Sequence, residues 1–175
     1  MNKERIKKLA YSGMFLAIGT LLPLLTGQIK EIGDSLLPMH LAIMLCGLVC
    51  GWKYGLAVGL ILPFFRSVTF GMPPLYPQAV WMALELATYG AVIAIMYDIF
   101  KRKNIGYLYL SLIISMISGR IVWGIAKAIL LGVANKPFTF YAFLTGGFVD
   151  ALPGIILQLI LIPIIVTLIE RIKQK

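Results

Sequence analysis

Residues 106–133 read GYLYLSLIISMISGRIVWGIAKAILLGV, a run of 28 whose only charges are Arg120 and Lys127. A helix rises about 1.5 Å per residue and the hydrocarbon core of a bilayer is about 30 Å thick, so about 20 mostly apolar residues suffice to cross it. The run is long enough to span a membrane and too apolar to face water along its length. The two cations inside it then need an explanation, because charge within a bilayer is costly and each instance requires a partner or a purpose.

Working outward, residues 134–139 read as a loop and 140–169 as a last span, with Pro153 and Pro163 as expected kinks. Toward the N-terminus, the basic cluster Lys101, Arg102 and Lys103 closes a span over 78–100. Before it, Arg66 to Pro77 holds Gly71, Pro73, Pro74 and Pro77, which predicts a loop or re-entrant segment, since proline removes a backbone donor. The apolar block 36–65 is too long for one helix. It breaks at Gly51-Trp52-Lys53-Tyr54-Gly55, predicting two short spans, 36–51 and 54–66, joined by a tight turn. A polar stretch with Lys30, Glu31 and Asp34 separates these from a first span over 7–27. That span has a basic flank like a signal peptide but lacks a small-x-small cleavage site before a polar mature domain, so it reads as a retained helix. The expectation is one all-α membrane domain, residues 1–175, of six transmembrane helices.

Composition agrees. The 175 residues are 60% hydrophobic and 13% charged, with mean hydropathy +0.92, whereas a soluble domain carries about 25% charged residues. The net charge of +9 is not a nucleic-acid signature, because the basic residues form no continuous face. With six spans, 11 of the 16 basic residues fall on the side of the termini (Lys3, Arg5, Lys7, Lys8, Lys53, Lys101, Arg102, Lys103, Arg171, Lys173 and Lys175), which makes both termini cytoplasmic.

The charges that composition disfavours are Glu85, Arg120, Lys127 and Asp150, with Arg66 at the outer end of the third span. Glu85 lies about seven to ten residues from the outer end of its helix and Arg120 about 14 from the cytoplasmic end of its own, so both fall near the midplane and can pair. Lys127 lies two turns above Arg120 on one stripe, with Trp123 between them, and Asp150 falls near the depth of Lys127. Two ion pairs tying helices together are one account of these residues. The other starts from the surplus: three cations against two carboxylates leave one positive charge in the outer half. With Trp123 and Tyr76 as walls, Glu85 and Asp150 orienting the cations, and Gln78, Asn135 and His40 as hydrogen-bonding groups, such a pocket suits a small organic monoanion whose carboxylate an arginine binds. A neutral ligand would instead need to stack on Trp81, Trp123 or Tyr141.

Other features are quieter. Cys46 and Cys50 are four apart on one helix face without further partners for a metal. There is no phosphate-cradling glycine loop, no Gly-x-Ser-x-Gly and no His-Glu-x-x-His, so neither self-driven nucleotide chemistry nor a membrane hydrolase is expected. Ala10, Gly13 and Ala17 form a strip of small residues that fits either internal packing or a partner surface.

Taken in order, the basic N-terminus and this strip, Leu37-Pro-Met-His40, Cys46-Gly-Leu-Val-Cys-Gly-Trp-Lys-Tyr-Gly55, Phe65-Arg-Ser-Val-Thr-Phe-Gly-Met-Pro-Pro74 and Glu85-Leu-Ala-Thr-Tyr-Gly90 resemble the S components of energy-coupling factor (ECF) vitamin transporters over nearly the whole chain. The family's first-helix motif is usually Ala-xxx-Ala, and Gly13 stands for its first alanine. The resemblance implies a six-helix subunit of a bacterial plasma membrane that binds a vitamin in its outer half, between the loops and the last three helices. It also implies docking on a scaffold (T) subunit and two cytoplasmic ATPases that use the ATP; no cofactor is expected in this chain. The sequence is most similar to pantothenate-type subunits. Niacin, a pyridoxine-like compound, a queuosine precursor and riboflavin are the alternative ligands, and a stand-alone secondary carrier is the alternative mechanism.

Overall fold

A computed structural model describes residues 3–26, 36–100 and 104–173. The polar stretch with Lys30, Glu31 and Asp34 and the basic cluster 101–103 lie outside the described residues. Seven α-helices account for most of the rest: α1 (Lys3–Leu21), α2 (Pro38–Cys50), α3 (Trp52–Phe70), α4 (Val80–Ile99), α5 (Ile105–Val133), the short α6 (Phe140–Leu144) and α7 (Leu152–Lys173). Among the described residues there is no strand.

Side-chain bonds give the helix directions. Arg66, late in α3, donates from Nη1 to the carbonyl of Thr20 at the end of α1 (2.7 Å). Gln158, early in α7, donates to the carbonyl of Leu37 at the start of α2 (3.4 Å), and Tyr97 near the end of α4 donates to Glu170 near the end of α7 (3.1 Å). Hence α1 runs with α3, and α2 and α4 run with α7.

Where lipid replaces water, apolar side chains gain little by leaving solvent, and helices are held by close fit. Here the fit reaches backbone. A Cβ on Gly55 would lie 2.6 Å from the carbonyl oxygen of Gly90 and 2.8 Å from the Cα of Gly47, so α2, α3 and α4 meet main chain to main chain. A Cβ on Gly59 would sit 2.6 Å from the backbone nitrogen of Ala87 one turn further along. Around these contacts Ile43, Met44, Leu62, Leu86, Tyr89, Ile93, Leu112 and Ile162 are fully buried. Outward-facing residues are aliphatic instead. Ile113, Ile117, Ile121, Ile125 and Ile129 on α5 and Ile156, Ile160 and Ile164 on α7 form exposed ridges at a spacing of four. Large exposed apolar faces of this kind are excluded from a water-facing surface, and they suit hydrocarbon.

Among the described residues, three helical stretches are long and apolar enough to cross a membrane: Leu75–Ile99, Ile105–Val133 and Leu152–Ile172. Several expected boundaries move. The turn between α2 and α3 is the single residue Gly51 (φ 99°), because only glycine takes that backbone freely, and helix resumes at Trp52. α3 continues past Arg66 and through Pro63 to Phe70, ending at Gly71 in the left-handed region (φ 71°). The prolines act later: the peptide bonds Met72–Pro73 and Tyr76–Pro77 are cis, and Tyr76 is extended within the turn Leu75–Ala79. The expected last span, 140–169, is not one helix. Its first part is α6 and a π-type turn over Thr145–Val149, and α7 begins only at Leu152.

Candidate functional site

The N-terminal part of α4, the middle of α5 and the first turn of α2 bring three polar side chains together inside the apolar bundle. Glu85 (2% exposed) accepts a bond from Arg120 Nη1 at 2.8 Å, the pair expected at the midplane. His40 (3% exposed) places Nε2 3.2 Å from the same oxygen, Oε1. That contact lies within ion-pair range but off the hydrogen-bonding line, and both ring nitrogens of His40 are without a hydrogen-bond partner among the described residues. The His40 ring stands edge-on to Tyr89 (centroids 5.0 Å apart, 83° between planes). Tyr89 in turn occupies the space that a side chain on Gly119 would fill, next to Arg120.

Arg120 is 4% exposed, and its Nε and Nη2 are buried with no hydrogen-bond partner among the described residues. Buried donors are nearly always bonded, and one left unsatisfied costs on the order of 1–3 kcal/mol, more when charged. The pattern of use matters. Glu85 takes Nη1, which leaves the Nε–Nη2 edge, the pair of parallel N–H groups that a carboxylate bridges with two oxygens.

Above this edge the chain is built to lie flat. Gly146 and Gly147 of the π-type turn rest on the indole of Trp123 (a Cβ at either would lie 3.4–3.5 Å away), and Gly147 also meets the Arg120 stem. Phe143 packs into the gap left by Gly124 and against Trp123. Trp123 is 7% exposed and is flanked by two cations: the Arg120 guanidinium 5.9 Å from its centroid and the Lys127 ammonium at 4.5 Å. Lys127 also faces Phe138 (5.3 Å) and Trp81 (5.5 Å), three π faces around one half-buried ammonium.

The site therefore contains Arg120, Glu85, His40 and Trp123, with Lys127 and Trp81 beside them. Other expected members lie elsewhere. Arg66 is buried, but it bonds to Thr20 and lies over Phe70 (5.6 Å), closing the end of α1. Asp150 does not pair with Lys127. The break before α7 leaves it exposed in the turn, with no ion pair to a described residue. Tyr76, Tyr141 and Asn135 are exposed, Asn135 in a left-handed conformation (φ 53°), and Gln78 is half-buried on the turn before α4. Dropping Arg66 and Asp150 removes one charge of each sign from the expected set.

Sequence reasoning does not single out Tyr89, Gln158, Phe138, Phe143 or the Gly146–Gly147 pair. Gln158 carries a signal, being the one polar side chain in the apolar run 152–166. Tyr89 carries a weaker one, four residues after Glu85 and so on its face. An apolar groove of about 370 Å³ lies between the Ile121–Ala128 face of α5 and residues 138–143. It is lined by none of the charged residues, and its wall continues the lipid-facing ridge.

Cys46 and Cys50 are both buried and form no disulfide. No group of three or more metal-ligating side chains occurs among the described residues.

The strip on α1 faces outward. Ala10, Gly13 and Ala17 are exposed, and a Cβ on Gly13 would meet nothing within 4 Å.

No curated protein and no solved structure gives a significant match to the chain. The family described as ECF transporter, substrate-specific component, matches residues 7–166, which takes in every helix that builds the site. The chain belongs to this family: it is a substrate-specific component of an ECF transporter, a membrane transport subunit and not an enzyme.

Proposed function

We propose that this subunit captures a small water-soluble monocarboxylate from outside the cell, with pantothenate as the best-fitting ligand. It would deliver that ligand by docking on a membrane scaffold subunit driven by two cytoplasmic ATPases. The observation that carries the ligand class is the open Nε–Nη2 edge of Arg120, buried and unbonded beside a carboxylate that uses only the third nitrogen. A ligand carboxylate supplies two oxygens for two donors. Lys127 lies two helix turns from Arg120, about 10 Å along the axis. A ligand of vitamin size reaches from one to the other, with Gln78 and Asn135 toward its hydroxyl and amide groups. Tyr76 and Asp150 then belong to the rim.

Six crossings result if α1, α2 and α3 join the three long apolar helices, with the basic residues of the terminal end on the cytoplasmic side. α2, 13 residues long, rises about 20 Å and is shorter than the hydrocarbon core, which its burial among neighbouring helices permits. The outward-facing strip of Ala10, Gly13 and Ala17 supports its use as the docking surface.

Pantothenate binding to the purified protein, measured for the wild type and for Arg120→Ala, tests the reading. Loss of two charge-assisted bonds is expected to weaken binding about 100-fold or more. Undiminished binding in the variant removes Arg120 from the site. Accumulation of pantothenate by liposomes containing this chain alone, without partner subunits or ATP, would overturn the docking mechanism in favour of a stand-alone carrier.

A further inference from the structure

The ligand reading requires the Nε–Nη2 edge of Arg120 to stay open, and a role for His40 in keeping it open rests on that reading. A guanidinium buried beside a carboxylate ordinarily closes this edge, because two parallel N–H groups on two oxygens make the stronger arrangement. Glu85 does not do so. Its Oε1 accepts from Nη1 alone, and that same oxygen is approached from the opposite helix by Nε2 of His40. One carboxylate oxygen thus lies between Nε2 of His40 on α2 and Nη1 of Arg120 on α5.

His40 is held in place for this. Its main-chain N–H bonds to the carbonyl of Leu37 (3.1 Å), and that carbonyl also accepts from the buried Gln158 of α7. The imidazole is packed edge-on against Tyr89, and Tyr89 is wedged against Gly119. The ring therefore cannot turn away from Glu85 without disturbing Tyr89 and its contact beside Arg120. With a proton on Nε2, the ring attracts Oε1 even at its off-line angle, and its bulk fills the space on that side of the carboxylate.

We propose that His40 is a positioning residue that holds Oε1 of Glu85 toward α2, preventing Glu85 from turning both oxygens onto Arg120 and so keeping the Nε–Nη2 edge open for a ligand carboxylate. On this account His40 determines specificity for two coplanar oxygens without contacting them. Gln158, on α7, contributes by fixing the carbonyl on which His40 is seated.

The test uses the full chain in lipid nanodiscs. The protein has five arginines (Arg5, Arg66, Arg102, Arg120 and Arg171), so the Nε–Hε signals of ¹⁵N-arginine-labelled protein are few, and Arg120→Lys assigns the one of interest. In ligand-free His40→Leu, Glu85 is expected to swing onto Arg120, moving the Arg120 Nε–Hε signal downfield and slowing its exchange with water. His40→Gln, which keeps an N–H donor, is expected to restore the wild-type signal. An unmoved signal in His40→Leu overturns the proposal, whatever the ligand.

A second arm compares pantothenate with the analogue in which CH₂OH replaces the carboxylate. Wild type is expected to prefer the carboxylate about 100-fold. His40→Leu should reduce that ratio to about tenfold or less, and His40→Gln should recover it. General damage would weaken both ligands together, and an unchanged ratio in His40→Leu overturns the proposal. If the wild type binds neither compound, the ligand reading falls, and the signal of Arg120 still decides the role of His40.

Discussion

Replacing Glu85 by leucine removes a buried anion while roughly conserving volume, and it leaves the Arg120 guanidinium charged in an apolar bundle. The side chains are 2% and 5% exposed and the contact is 2.8 Å. With charge centres about 4 Å apart and an effective dielectric constant of about 20, the lost attraction is on the order of 4 kcal/mol. Breaking a buried pair by removing one partner costs about 3–5 kcal/mol in comparable cases. The two estimates agree, and they correspond to a shift of about 150- to 5,000-fold in the folding equilibrium. The double variant Glu85→Leu/Arg120→Met removes the second charge and should recover most of the loss, as expected for neighbours that couple strongly. Reversible unfolding in bicelles, measured for both single variants and the double variant, gives the cycle. A cost below about 1 kcal/mol for Glu85→Leu, or a double variant no more stable than the single one, would refute the claim that this pair is a desolvated charge pair at the centre of the bundle.

Gly90→Val should prevent stable folding, since its Cβ would lie about 2.5 Å from the carbonyl oxygen of Gly55 and backbone cannot yield as a side chain can; yield of monodisperse protein from membranes checks this. Arg66→Met should cost about 1–3 kcal/mol by leaving the Thr20 carbonyl without its donor, while changing pantothenate affinity less than about twofold, since Arg66 lies outside the charge-bearing site; unfolding and binding are measured on the same preparation. Gly13→Leu with Ala17→Leu should abolish uptake by the assembled transporter yet spare ligand binding by the isolated subunit. Loss of both would assign the strip to internal packing instead.

The polar core is more legible in the sequence than the boundaries around it. Glu85 and Arg120 can be matched by counting residues from opposite helix ends, and helix rise is regular enough for such counting to place two groups at one depth. Arg66 escapes the same reasoning because the proline cluster reads as an early end to its helix. The chain in fact stays helical to Gly71, the first glycine after Arg66, and the extra turn of helix leaves Arg66 against the end of α1. The last span reads as one helix because an unbroken apolar run says nothing of a π-type turn. The Gly146–Gly147 pair that lets the chain fold over Trp123 is a demand of the neighbouring helix, not of its own segment. Which nitrogens of Arg120 are left open is beyond any pattern in one dimension. It depends on His40, 80 positions earlier in the chain, approaching the same carboxylate oxygen.

The most direct test of a carboxylate-binding subunit is to identify what the protein already holds. Membranes from cells grown without added vitamin are solubilised, the full-length protein is purified rapidly, and its small molecules are released and identified by mass spectrometry beside an Arg120→Ala control. The account predicts a stoichiometric monocarboxylate, pantothenate, in the wild type and its absence from the control. A neutral or cationic compound, or the same compound retained by the control, would contradict it.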